Sequence, residues 1–173
     1  MHHGDRKARS GTAGRAIAAG LVLALALPAA AEAACATARE ADALSARVLQ
    51  TELMVAALSC QQQSSYNAFV VKYRDQLTAS GHTLRSFFSR VHGSSGTSRL
   101  NAFVTQMANE ASMRSLLAGT FCQTAPAMFE QTLSADPRDF RTLLAAFPGR
   151  DAHGVPACQA SARPALEETA EIH

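Results

Sequence analysis

The chain has no tryptophan and only two tyrosines, Tyr66 and Tyr73. That poverty argues against an aromatic-lined cleft for a sugar or peptide. No pair of its four cysteines is spaced Cys-x-x-Cys, which removes a thioredoxin-type redox site, c-type haem attachment and the usual zinc fingers. No His-Glu-x-x-His stretch occurs, so zincin chemistry has no ligands. A glycine-rich phosphate loop is also missing. Gly93-Ser94-Ser95-Gly96 has neither the spacing nor the strand-to-helix setting of a nucleophile elbow, and it reads as a flexible linker. Alternation at the strand period is nowhere sustained.

What is present begins with the leader. Arg6, Lys7, Arg9 and Arg15 precede an apolar run from Ala16 to Ala31, broken by Pro28 and closing in Ala31-Glu32-Ala33. A basic head, an apolar middle and an Ala-x-Ala exit define a secretory signal peptide, read here over 1–33. The run is shorter than the roughly 20 residues a membrane span needs. Glu32 stands where a lipid-attachment box wants a Leu-like residue, so a lipoprotein is not expected. Cleavage leaves no stable membrane span and a periplasmic or secreted protein.

Cleavage also resets the charge. The chain carries 16 Lys and Arg against 14 Asp and Glu. Taking away the four leader cations with Asp5 and Glu32 leaves 12 of each. A neutral chain without a basic cluster has nothing to neutralise phosphates with, which excludes a nucleic-acid binder.

Cys35, Cys60, Cys122 and Cys158 survive, an even number in an oxidising compartment, which implies two disulfides. A helix is expected over about 37–59, capped by Thr37 with Glu40 three residues on. It would hold Cys35 and Cys60 roughly 35 Å apart at 1.5 Å per residue, which excludes that pair. Two pairings remain: 35–122 with 60–158, or 35–158 with 60–122. Counting helices alternately up and down favours Cys35 with Cys122 and Cys60 with Cys158.

Apolar periodicity continues the helical pattern. Tyr66, Phe69, Val70, Tyr73 and Leu77 form one face after a Ser65 cap, with Gly81 placed to end that helix. Leu84, Phe87, Phe88 and Val91 follow on a shorter one. Leu100, Phe103, Val104, Met107 and Ala111, continued by Met113, Leu116 and Leu117, mark a long helix ending near Gly119. Pro126 suits a first helical turn, and Asp136-Pro137 restarts the chain before Phe140, Leu143, Leu144 and Phe147. Tyr66–Val70 and Leu100–Val104 are near copies 34 residues apart, but without a third copy there is no solenoid. The fold expected is all-α: a single domain over 34–158, a bundle of four to six helices, with a disordered tail over 159–173.

Catalytic groups do not assemble on this pattern. His82, His92 and His153 would meet only by chance of folding, and Glu110, Glu130, Asp136 and Asp139 are scattered singly. No metal or cofactor is expected. The segment holding Arg85, Phe87, Phe88 and Arg90 could face the core, or could lie on a membrane or dock into a partner groove, so it is the candidate interaction helix. The expected role is a non-catalytic adaptor or chaperone-like module that binds another envelope protein. The alternative is a carrier holding an apolar ligand such as a lipid in a cavity of the bundle.

Overall fold

The computed structural model describes residues 35–158. The leader read over 1–33 and the tail read over 159–173 lie outside the described residues. Among the described residues six α-helices follow in order: α1 Ala38–Ser59, α2 Gln63–Lys72, α3 Arg74–His92, α4 Gly96–Leu117, α5 Phe121–Ser134 and α6 Phe140–Ala146. Short 3-10 turns at Gly93–Ser95 and Pro137–Asp139 precede α4 and α6. Among the described residues β pairing is limited to an isolated bridge between Ala36 and Ala157. The all-helical expectation holds.

Helix α1 is the axis. It starts on the expected capping box: Thr37 Oγ1 accepts from the Glu40 N–H, and Glu40 Oε2 accepts from the Thr37 N–H at 2.8 Å. Leu44, Leu49 and Leu53 are buried on it, interleaved with Ala43, Ala46, Ala56 and Ala57, whose small side chains let neighbours approach from several directions. The helix packs against each of the other five. Its first half lies in a cluster with Leu84, Phe87 and Phe88. Its second half lies in a larger one with Phe69, Tyr73, Ala125, Phe129, Phe140, Leu143 and Leu144.

The expected break at Gly81 is corrected. Helix α2 begins at Gln63 rather than after a Ser65 cap, and the chain bends at Tyr73 (φ −106°, ψ 21°). The Tyr73 hydroxyl donates to the carbonyls of Thr132 (2.7 Å) and Ala135 (3.0 Å), fixing the bend against the end of α5. Backbone bonds from Tyr73 N–H to Phe69 and from Leu77 N–H to Tyr73 carry the helical hydrogen bonding through the bend. Gly81 then sits inside α3. A helical glycine costs only about 1 kcal/mol, and burial of Leu84, Phe87 and Phe88 further along outweighs it. The left-handed residue that ends α3 is Gly93 (φ 56°). So α2 and α3 form one descending pass along α1.

Gly93 to Gly96 is likewise a tight turn and not a flexible linker. The Ser95 hydroxyl bonds back to the His92 carbonyl at 2.9 Å. Gly96 is buried where α4 crosses α3, and a Cβ there would lie 2.8 Å from Ser89 Cα and N. Helix α4 climbs beside α1 and ends at Leu117, leaving Cys122 in the first turn of α5. Pro126 falls inside α5, not in its first turn. Asp136 caps the turn before α6, accepting from the Arg138 N–H at 2.8 Å, as the Asp-Pro pair predicts.

The disulfides are Cys35–Cys158 (Cα–Cα 4.8 Å) and Cys60–Cys122 (Cα–Cα 5.2 Å). This corrects the favoured pairing of Cys35 with Cys122 and Cys60 with Cys158, while the exclusion of Cys35–Cys60 stands. The physical reason is the continuity of α2 and α3. A stop at Gly81 would add one reversal and carry Cys122 to the Cys35 end of α1; without it, α4 delivers Cys122 to the Cys60 end.

Non-reducing peptide mapping will recover these two bridges, and replacing both Cys60 and Cys122 by Ser will cost about 4 kcal/mol in denaturant unfolding. Substituting Gly96→Ala will cost about 1–3 kcal/mol, because the backbone of Ser89 has no room to yield.

Candidate functional site

The expected interaction helix turns its aromatic pair into the core instead. Phe87 and Phe88 are 3% and 5% exposed, stack edge to face at 5.2 Å, and Phe88 meets Phe103 of α4 at 5.2 Å. They are core. Arg90 lies over the Phe87 ring and donates to Glu40 Oε2 (2.8 Å) and to the Cys35 carbonyl (3.0 Å). It clamps α3 to the Cys35 end of α1. Arg85 stays at the surface, with its guanidinium 3.0 Å from His82 Nδ1. Phe87, Phe88 and Arg90 fasten helices together, Arg85 does not, and the aromatic pair is not free for a membrane or a groove.

The histidines do not converge. His82 stands within α3, not at a helix end, and His92 stacks on Phe88. His153 Nδ1 accepts from the Val155 N–H at 3.0 Å. Burial holds the His153 ring below its ordinary pKa, partly opposed by Asp151. Among the described residues no three His, Cys, Asp or Glu side chains lie together as a metal site.

A cleft of about 790 Å³ opens between the start of α1, the middle of α3 and the turn into α6. Its walls include Arg39, Asp42, His82, Arg138 and Arg141. Most of these charges are already engaged: Arg141 Nε meets Asp42 Oδ2 at 2.7 Å, and Arg138 meets Asp136 at 2.7 Å. The Glu40 carboxyl is pushed up by burial but pulled further down by hydrogen bonds from Thr37 and Arg90, so it lies below its ordinary range. Asp136, held chiefly by the Arg138 side chain and backbone, is lowered to about 2. A general acid at neutral pH needs its carboxyl raised, and these two shift the other way. The Thr83 hydroxyl in the same wall is turned back on the Ala79 carbonyl at 3.1 Å. Glu110, which would have drawn interest if buried, is exposed on α4.

The surface that stands out lies at the far end of α4. Met113, Leu116 and Leu117 occupy positions i, i+3 and i+4, and the two leucines are each 79% exposed. Reading them as the buried face continued is corrected here. At 100° per residue, the face of Met107 and Ala111 continues through Arg114, Ser115 and Ala118, whereas these three sit about 120–160° round the axis from Ala111. Arg114, still exposed, reaches across to pair with Glu52 of α1. The phase of the pattern was the available signal. Leu58 of α1 is exposed at this same end, two residues before Cys60.

No protein-family model, no characterised protein and no solved structure matches this chain.

Asp136 will titrate near pH 2 in a carboxyl NMR titration, and Arg138→Ala will return it toward an ordinary carboxylate value. Because its folded pKa is the lower one, its contribution to stability is complete above about pH 4 and disappears as pH falls through 2.

Proposed function

We propose that this chain is an exported, non-catalytic interaction module that docks onto another protein of the envelope. The observation that carries the reading is the stripe Met113, Leu116 and Leu117, presented at helical spacing on a face of α4 turned away from the bundle. An i, i+3, i+4 stripe of this kind suits the apolar face of a partner helix. Large apolar side chains gain about 1.5–3 kcal/mol each on full burial. Three of them supply roughly 4–9 kcal/mol before the cost of association, which is enough for a regulated, reversible contact and too little for a permanent one.

Two further features support the reading. The disulfides point to an oxidising compartment outside the cytoplasm, and the leader pattern supplies the route. The carboxylates of the cleft are committed to ion pairs and hydrogen bonds, an arrangement that fixes helices and leaves little for proton transfer. A carrier of an apolar ligand would need a closed apolar space, whereas the cleft is open and its walls are charged, which weighs for the adaptor.

Crosslinking in the native envelope followed by mass spectrometry tests this. The chain will recover one stoichiometric partner, and Leu116→Asp with Leu117→Asp will reduce recovery at least roughly tenfold. The double variant will keep its melting temperature, since exposed substitutions shift stability by about 0.5 kcal/mol or less. Undiminished recovery by the variant, or no partner for the parent chain, would contradict the proposal.

A further inference from the structure

Five arginines of the described chain have a carboxylate partner: Arg90, Arg114, Arg138, Arg141 and Arg150. Three others, Arg47 on α1 with Arg74 and Arg85 on α3, share instead a groove of about 330 Å³ between the two helices. Gln50, Thr78 and Gly81 also line it, and no Asp or Glu does. The helix spacing explains the convergence. Residues 74, 78, 81 and 85 follow at intervals of 4, 3 and 4, so they form one face of α3, turned toward Arg47.

The three guanidiniums are not equivalent. Arg47 is the inner one: its Nη1 donates to Gln50 Oε1 at 2.9 Å, while its Nε is buried without a hydrogen-bond partner among the described residues. Burial, with repulsion from Arg85, holds its pKa down against an opposing effect of Tyr66. Arg74 and Arg85 stand at the two ends, 11 residues apart, about 16 Å along the axis. Gly81 lies between them. Its presence mid-helix runs against propensity, and its missing side chain leaves the middle of the groove open; a Cβ alone would make only ordinary contact with the Arg85 guanidinium, at 3.8 Å.

A partly buried cation lacking a counter-charge is costly, and a concave wall of one sign concentrates the opposite ion. Guanidinium forks match the geometry of carboxylate and phosphate oxygens. The volume is that of a small-molecule pocket and not of a macromolecular interface. We propose that this groove is a binding site for a small organic anion carrying two or more phosphate or carboxylate groups, held end to end by Arg74 and Arg85 with Arg47 beneath. The site lies apart from the α4 stripe and stands whether or not that surface docks a partner.

The test is an NMR titration of the oxidised full chain with pyrophosphate and with citrate, at ionic strength matched with chloride. The expected result is saturable shifts centred on the backbone of Arg47, Thr78 and Gly81 for at least one of the two, and the stronger binder identifies the group recognised. Arg74→Ser with Arg85→Ser, both at exposed positions, will weaken binding roughly a hundredfold, about tenfold for each charge-assisted contact. Gly81→Leu separates the site from the fold. It will melt no lower than the parent, because helix propensity improves, yet bind at least roughly tenfold more weakly because its side chain fills the groove. Shifts centred elsewhere, no saturation with either anion, or affinities that both variants leave unchanged would overturn the proposal.

Discussion

A single helix pinned at both ends organises this molecule. Cys35–Cys158 closes one end of α1 and Cys60–Cys122 the other, and every other helix rests on the segment between them. The pinning matters because of what α1 is made of. Its alanines allow close approach but bury little area each, so the packing they permit is only modestly stabilising. Two cross-links spanning 123 and 62 residues of sequence restrict the unfolded chain by about 4–5 kcal/mol each in the chain-entropy view. That is comparable with the whole stability of an ordinary domain. The Cys158 end is fastened further by the Ala36 backbone, which donates to Pro156 and accepts from Cys158, both at 2.8 Å.

The surfaces follow from that frame. Because α2 and α3 run down α1 as one bent pass, a long face of α3 lies along α1, and the arginine groove forms in the seam between them. The bend at Tyr73 tilts the seam without breaking it. Because α4 climbs beside α1 with its phase set by Phe103, Met107 and Ala111, its last turns present Met113, Leu116 and Leu117 outward. The groove and the stripe thus sit on different helices and use opposite chemistry, one cationic and concave, the other apolar and convex. Both are held on regular secondary structure, where position is defined more sharply than on a loop.

Much of this was legible in the chain. The capping box at Thr37 and Glu40 announced α1 to within a residue, and Asp136-Pro137 announced the restart before α6. Periodicity placed Phe69, Tyr73, Leu84, Phe140, Leu143 and Leu144 on apolar faces, and all six are interior. The misreadings concentrate at glycines. Gly81 carries a stop signal in isolation, but a stop is a local preference of about 1 kcal/mol, and the burial of three large side chains beyond it overrides that preference. From this one residue the error in the disulfide pairing followed, through the parity of helix passes. Gly93 to Gly96 looked flexible because composition does not reveal that α4 crosses α3 there. The stripe on α4 is apolar without being buried, because its three residues lie on the opposite side of the helix from Met107 and Ala111.

Native-state hydrogen exchange of the oxidised chain tests the central role of α1 most directly. The amides of Leu49 through Ala57 will exchange the slowest in the molecule, opening only with global unfolding, and selective reduction will lower their protection more than that of any other helix. Slower exchange in α3 or α4, or protection of α1 that is indifferent to reduction, would contradict the view that the stapled helix holds the fold together.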